Sequence, residues 1–126
     1  FGTPVSRGND AQNALNCIRQ MQISMREWEK ERTDNGLPTI KHRVGVHYGS
    51  CFVGNVGSED RVEFTVIGDT VNVASRICEA CKDVESDVLI SEEVKLRLSE
   101  NLPTEEVKDF EVRGRDKKIT LHKLVV

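Results

Sequence analysis

Three polar side chains between residues 61 and 76 have the types and spacing that phosphate chemistry requires. Thr65 provides a hydroxyl, Asn72 provides both a donor and an acceptor, and Arg76 provides a guanidinium that stays charged. A guanidinium can donate two hydrogen bonds to phosphoryl oxygens. We therefore infer a site that holds a nucleotide while its phosphate is attacked. The competing interpretation of an isolated Asn–Arg pair is a solvated helix face.

The local sequence predicts the elements that must position these side chains. Residues 63–67 are β-branched or aromatic, as in a strand. Gly68 ends this strand, and Asp69 is expected to cap a following helix. At about 100° per residue, Asn72 and Arg76 lie one turn apart on one helix face. The opposite, apolar face is predicted to consist of Val71, Ala74, Cys78 and Cys81.

A glycine-rich segment, residues 41–57, precedes this strand. Alternating valines and a second apolar run at 51–53 predict a hairpin that turns at Gly49 and Ser50. Glycines inside strands usually mark a bulge or a close backbone approach. Their spacing is neither that of a dinucleotide-binding GxGxxG motif nor that of a Walker A loop.

The runs RVGVHYG, GNVG and RVEFTVIGDTVNVASRI, in this order, resemble the catalytic domain of class III nucleotidyl cyclases, the adenylyl and guanylyl cyclases. The opening run FGTPVSRGNDAQNALNCI is similar to the family segment that follows the second metal-binding aspartate. The resemblance extends from residue 1 to about residue 124. It implies that residues 1–126 are the C-terminal portion of one cyclase domain, without its first strands and helices. The implied fold is α+β and ferredoxin-like, a mixed or antiparallel sheet with helices on one face.

The resemblance also implies an activity, an adenylate cyclase that converts ATP to cyclic AMP and pyrophosphate. In the family, the residue matching Asn72 orients the ribose, the one matching Arg76 contacts the α-phosphate, and the one matching Thr65 reads the purine. Adenylyl cyclases have Asp or Thr at this last position, which favours ATP over GTP. A hydroxyl can nevertheless accept from adenine or donate to guanine, so a guanylate cyclase stays open.

Further basic residues are candidates for binding the triphosphate. Arg43 matches a family arginine that approaches the phosphates. Arg113 and Arg115 lie where the family has a lysine that reaches the terminal phosphates, with Lys117 behind them. A solvated basic turn explains the last group equally well.

The family holds two divalent cations, Mg²⁺ or Mn²⁺, on two aspartates. The resemblance places both aspartates, and a base-reading lysine, upstream of Phe1. Asp10 and Asp34 lie in other motifs, so no metal ligand is assigned within these residues. The segment alone is expected to bind no metal and to be inactive. Because the family builds its site across a dimer, a second cyclase domain is the expected partner. The alternative is a non-catalytic cyclase-homology module that dimerises or binds nucleotide without turnover.

Composition limits the other classes of function. The chain has 126 residues and a net charge of −3, without the basic stripe of a nucleic-acid-binding protein. It has no transmembrane run and no signal peptide, so a cytoplasmic location without membrane contact from this segment is expected. The alternative is the cytoplasmic domain of a larger, membrane-bound protein. Cys17 and Cys51 are expected in the core. Cys78 and Cys81 form a CxxC without a second pair, which does not indicate a zinc site.

The remaining sequence predicts five more elements. A helix begins at Asn9 or Asp10 and stops at 34–36. A strand at 87–90 leads to Ser91, which is expected to cap a helix over 92–98. Residues 105–112 and 119–125 are predicted to form an antiparallel pair. The apolar positions of the first helix are Ala11, Leu15, Ile18, Met21, Met25 and Trp28.

Overall fold

The computed structural model of the chain describes residues 1–111 and 118–124. Their elements, in chain order, are α1 (Asp10–Asp34), β1 (Val44–Val46), β2 (Phe52–Ser58), β3 (Arg61–Ile67), α2 (Asp69–Ala80), β4 (Val88–Ser91), α3 (Glu92–Lys95), β5 (Thr104–Glu111) and β6 (Lys118–Leu124).

These strands form a mixed four-stranded sheet and a separate hairpin. The sheet order is β1-β4-β6-β5, with β1 and β4 parallel and the other neighbours antiparallel. The hairpin consists of β2 and β3. The α+β class with a mixed sheet is thus confirmed, as is the antiparallel pairing of the last two strands.

The predicted hairpin between residues 44–48 and 51–53 is wrong. Val44 pairs with Val88, and Phe52 pairs with Ile67. All four residues of β4 are buried, so its backbone groups need partners on both edges. The strand β1 satisfies one edge and β6 satisfies the other. Alternation along a short strand does not encode this choice of partner.

Helices cover both faces of the sheet, whereas the sequence predicted one face. Val88 and Ile90 pack with Leu15 of α1, and Leu89 packs with Ile77 of α2. Successive side chains of a strand point to opposite faces, so α1 and α2 lie on opposite sides. The reason is that β4 is apolar on both faces, and each face needs a cover.

The helix α1 has the predicted ends, since it begins at Asp10 and stops before Asn35. Of its six predicted apolar positions, only Ala11, Leu15 and Ile18 are buried, and the other buried residues are Gln12, Ala14 and Gln22. Met21 is 46% exposed, while Gln22 is 4% exposed. The Gln22 amide reaches the His42 ring, with Nε2 to Nε2 at 2.8 Å. Counting apolar residues along the helix could not reveal that a glutamine with a hydrogen-bonding partner is buried.

Two smaller expectations have different outcomes. Ser91 does cap the short helix α3, because its Oγ accepts from the Val94 N–H at 3.4 Å. The helix ends at Lys95, earlier than predicted. Cys17 and Cys51 are exposed, so their assignment to the core is wrong.

Within the described residues, no helix is long and apolar enough to cross a membrane.

Candidate functional site

The helix α2 presents Asn72 and Arg76 on its outer side. Asn72 is exposed, and the Arg76 side chain is 39% exposed. The buried side differs from the predicted one in all but Cys81: it consists of Val73, Ile77, Ala80 and Cys81. Apolar residues occupy more than half of this helix's circumference, so periodicity allowed two inner faces. Packing on Leu89 and Leu121 selected the observed one.

The first turn of α2 starts at Gly68, which is the N-cap in place of the expected Asp69. Gly68 has a φ of 140°, a value that favours glycine. Its carbonyl accepts from the N–H groups of Val71 at 3.1 Å and Asn72 at 3.3 Å. The Thr70 hydroxyl donates to the Ser50 carbonyl at 2.6 Å. The backbone that holds Asn72 is therefore tied to the segment between β1 and β2.

The second and third turns of α2 lie directly on β1. A Cβ on Gly45 would be 2.3 Å from the Cys78 nitrogen and 2.8 Å from the Ala74 carbonyl oxygen. The Cys81 thiol donates to the Val44 carbonyl at 3.6 Å. Burial, followed by the neighbouring Cys78 thiol, raises the pKa of Cys81. The predicted close backbone approach is confirmed at Gly45. This approach sets the distance between the sheet and α2, the helix that carries Arg76.

Arg43 lies next to this helix. It is exposed, and its carbonyl accepts from the Cys78 thiol at 3.5 Å. Cys78 is two residues beyond Arg76, about 200° around the helix, so this contact joins Arg43 to the side of α2 opposite Arg76. Arg113 and Arg115, like Lys117, lie outside the described residues.

Arg76 forms an ion pair on its own helix. Its Nη1 lies 3.3 Å from Oε2 of Glu79, whose side chain is 62% exposed. Exposed pairs of this kind contribute only about 0–1 kcal/mol. A phosphate could therefore replace the Glu79 carboxylate at little cost.

Thr65 lies on the hairpin, three residues before Gly68. It is half-buried and pairs across the strands with Gly54. A Cβ on Gly54 would be 3.1 Å from the ring of Phe52, so this glycine leaves room for the ring. The strand β3 leads directly into α2, which connects Thr65 to the helix that presents Asn72.

A family model, the adenylate and guanylate cyclase catalytic domain, matches residues 1–125. The chain belongs to this family. The resemblance in the sequence motifs is thereby confirmed.

Individual cyclases are similar over nearly the whole chain. Adenylate cyclase 1 of Rhizobium meliloti (strain 1021) is 29% identical over 125 residues, which cover 99% of this chain and 19% of that protein. The crystal structure of the adenylyl cyclase CyaB from P. aeruginosa has a TM-score of 0.85 at 26% identity, covering 100% of this chain and 65% of that one. A guanylyl cyclase crystal structure has a TM-score of 0.84 at 26% identity, covering 98% and 62%. This cyclase chain thus spans about a fifth of the Rhizobium protein.

Domains of this family generally use Mg²⁺ or Mn²⁺. Across residues 1–111 and 118–124, no three His, Cys, Asp or Glu side chains converge as metal ligands would. The Asp10 carboxylate accepts from the Ser6 hydroxyl, which lowers the pKa of Asp10. Asp34 is paired with Lys30 at 3.0 Å. The described residues of this cyclase domain do not fit a two-metal site.

Two side chains near the candidate site were missed by the sequence argument. Thr70 binds the Ser50 carbonyl, and Glu79 pairs with Arg76. The Glu79 pair was readable from its i, i+3 spacing. The partner of Thr70 was not, because Ser50 is remote in sequence and offers a backbone oxygen.

Proposed function

We propose that this domain is part of an adenylate cyclase that converts ATP to cyclic AMP and pyrophosphate. One observation supports the proposal above the others. Asn72 and Arg76 lie one turn apart on the outer side of α2, while the inner side of that helix is buried against the sheet. Two polar side chains that the core does not use are thereby held rigidly for a ligand.

The reaction forms a bond between the 3′-oxygen and the α-phosphorus of the same nucleotide. The bond from the α-phosphorus to the oxygen bridging to the β-phosphate breaks, pyrophosphate leaves, and the proton of the 3′-hydroxyl passes to water. Arg76 exchanges Glu79 for the α-phosphoryl oxygens and stabilises the charge that develops there. Asn72 holds the ribose so that the 3′-oxygen faces the phosphorus. Arg43, Arg113 and Arg115 are proposed to bind the remaining phosphates.

Thr65 is proposed to accept a hydrogen bond from the adenine amino group. A guanylate cyclase is the second candidate, because the same hydroxyl can rotate and donate to a guanine carbonyl. The structural similarity to a guanylyl cyclase, with a TM-score of 0.84, supports keeping this candidate. Comparing ATP with GTP as substrates of the parent and of Thr65→Ala distinguishes the two, because the preferred substrate loses more in kcat/KM.

A second cyclase domain is the proposed partner, and the hairpin supports this. Its exposed apolar side chains are Phe52 at 56%, Val56 at 37%, Val62 at 60%, Phe64 at 67%, Val66 at 40% and Ile67 at 47%. An apolar surface of this kind typically marks a protein interface. Thr65 belongs to the same strand, so a partner on the hairpin would approach the proposed base-binding residue. The metal aspartates that the resemblance implies are proposed to precede Phe1.

The test uses the natural chain that contains these residues, assayed for cyclic AMP from ATP and cyclic GMP from GTP with Mg²⁺ or Mn²⁺. We expect Arg76→Ala to lower kcat by about 10²–10³-fold. The matched control is Ser75→Ala, an exposed neighbour on the same helix, which should keep the parent rate. If Arg76→Ala is as active as the parent, the proposed catalytic role of Arg76 is wrong. If the parent itself forms neither cyclic AMP nor cyclic GMP, the chain is a non-catalytic module. Residues 1–126 alone are expected to be inactive, and measurable turnover would contradict the assignment of the metal ligands.

A further inference from the structure

We propose that Thr70 is a positioning residue that holds Asn72 in its reactive place through the hydrogen bond to Ser50. The inference rests on the proposed function, because it assigns Thr70 a role in the same reaction. Thr70 itself is not proposed to touch the nucleotide.

The contact between α2 and the β1–β2 loop, residues 47–51, is unusually close. The Thr70 Oγ1 lies 2.6 Å from the Ser50 carbonyl oxygen. A Cβ on Gly49 would lie 2.6 Å from the same Oγ1 and 3.1 Å from the Thr70 methyl carbon. The loop backbone therefore passes directly against Thr70, and only a glycine at position 49 leaves space for the side chain.

The β1–β2 loop is anchored on its other side, so it can act as a fixed reference. The His47 side chain is 4% exposed, and its Nδ1 lies 2.9 Å from the Ser91 Oγ. The Arg97 guanidinium stacks on the Tyr48 ring at 4.2 Å from its centroid. These contacts tie the loop to the end of β4 and to the segment that follows α3.

Thr70 lies inside the turn that determines the backbone position of Asn72. The Asn72 N–H closes that turn on the Gly68 carbonyl at 3.3 Å. Gly68 cannot cap the helix with a side chain, and its φ of 140° joins the helix to the exposed hairpin. Because the N-cap residue Gly68 has no side chain, it is the Thr70 hydroxyl that connects the start of α2 to the sheet, through the anchored β1–β2 loop. A shift of about 1 Å in a positioning group can cost about 10²-fold in rate.

The experiment measures kcat and KM of the natural chain with Thr70→Val and Thr70→Ser. Valine keeps the shape and removes the hydroxyl, and we expect kcat to fall about 10-fold with KM changed less than about 3-fold. Serine keeps the hydroxyl and should retain kcat within about 2-fold. Ser75→Ala, which removes an exposed hydroxyl from the same helix, should match the parent. A loss in Thr70→Ser equal to that in Thr70→Val would overturn the inference.

A double-mutant cycle separates positioning from a merely structural role. If Thr70 acts through Asn72, adding Thr70→Val to Asn72→Ala should lower kcat by less than about 2-fold. An additional 10-fold loss would mean that the two residues act independently, and the inference would be wrong. If Asn72→Ala and Arg76→Ala both keep the parent rate, the proposed function itself fails. The two failures are therefore distinguishable.

A second variant covers the case in which Thr70→Val does not fold, as judged by circular dichroism. Gly49→Ala inserts a Cβ against Thr70 Oγ1 and should displace it from Ser50 without changing α2. We expect about a 10-fold loss of kcat that is absent in the Asn72→Ala background. A Gly49→Ala enzyme with the parent kcat would overturn the inference.

Discussion

The two regions on either side of Gly68 are built in opposite ways. After it, α2 buries Val73 and Ile77 at 2% and 0% exposure and lies on the backbone of β1. Before it, the hairpin leaves Phe64 67% exposed and Val62 60% exposed. One chain thus contains a helix fixed by its own core and, next to it, a hairpin with an uncovered apolar surface.

This difference divides the proposed site into two parts. Asn72 and Arg76 are placed by packing within the chain, so their spacing does not depend on a partner. Thr65 belongs to the exposed hairpin, so its surroundings change when that surface is covered. In the proposed site, the residues assigned to the ribose and the α-phosphate are therefore placed by the core of the chain itself, whereas the residue assigned to the base lies where the proposed partner would bind.

The largest expected effect comes from breaking the packed region at Gly45. In Gly45→Val, the new side chain must push α2 away from β1, because even a Cβ would be 2.3 Å from the Cys78 nitrogen. We expect the free energy of unfolding, measured with urea, to fall by about 3 kcal/mol or more. The control is Gly36→Ala, where the φ is 68° but the Cβ meets open space in the described chain. It should cost only about 1 kcal/mol. A larger loss for Gly36→Ala would contradict the close packing.

The second effect tests the exposed region through Phe64→Ser. Burial of a phenylalanine contributes about 1.5–3 kcal/mol, so the dimer dissociation constant should rise by at least about 10-fold. The fold should stay intact, since Phe64 is 67% exposed. Sedimentation equilibrium of the natural chain provides the measurement. Ile40→Ser, at a residue 65% exposed outside the hairpin, should dimerise like the parent. Equal dissociation constants for both variants and the parent would show that the hairpin is not the interface.

A moderate effect is expected where the β1–β2 loop is anchored. Ser91 is fully buried, caps α3, and binds His47 Nδ1 at 2.9 Å. Ser91→Ala should lower the free energy of unfolding by about 1–2 kcal/mol in urea titrations. Ser24→Ala, at an exposed position of α1, should leave it unchanged within about 0.5 kcal/mol. If both variants unfold at the same urea concentration, Ser91 does not anchor this region.

The smallest effect is a pH dependence that arises inside the packed region. Burial raises the pKa of Cys81 above its ordinary value of 9.0. Between the unfolded and folded pKa values, the unfolded thiol loses its proton while the folded thiol keeps it. This difference favours the unfolded state, so the free energy of unfolding is highest below about pH 9 and falls as the pH rises towards the folded pKa. Urea titrations between about pH 8 and pH 10 should show a decline that is weaker in Cys81→Ala than in Cys17→Ala. Identical declines in Cys81→Ala and Cys17→Ala would show that Cys81 is not the cause of the pH dependence.

Local patterns predicted most elements and the outer side of α2. The strand over 63–67, the end of α1 at Asp34 and the cap at Ser91 follow from neighbouring residues, and each is observed. The pairing of β5 with β6, which follow each other in the chain, was predicted. The partner of β1 was not predictable, because β1 pairs with β4 through residues about 44 positions away. The inner side of α2 was mispredicted because its apolar residues surround more than half of the helix.

The sequence by itself determined the cyclase family and the polar set Thr65, Asn72 and Arg76, because those depend on residue types in a fixed order. Only the tertiary structure decided what supports that set. The contact of Gly45 with Cys78 and the bond from Thr70 to Ser50 join segments distant in sequence. Such contacts depend on backbone atoms that every residue has, so side-chain patterns do not encode them. They appear only when the sheet and α2 have packed together.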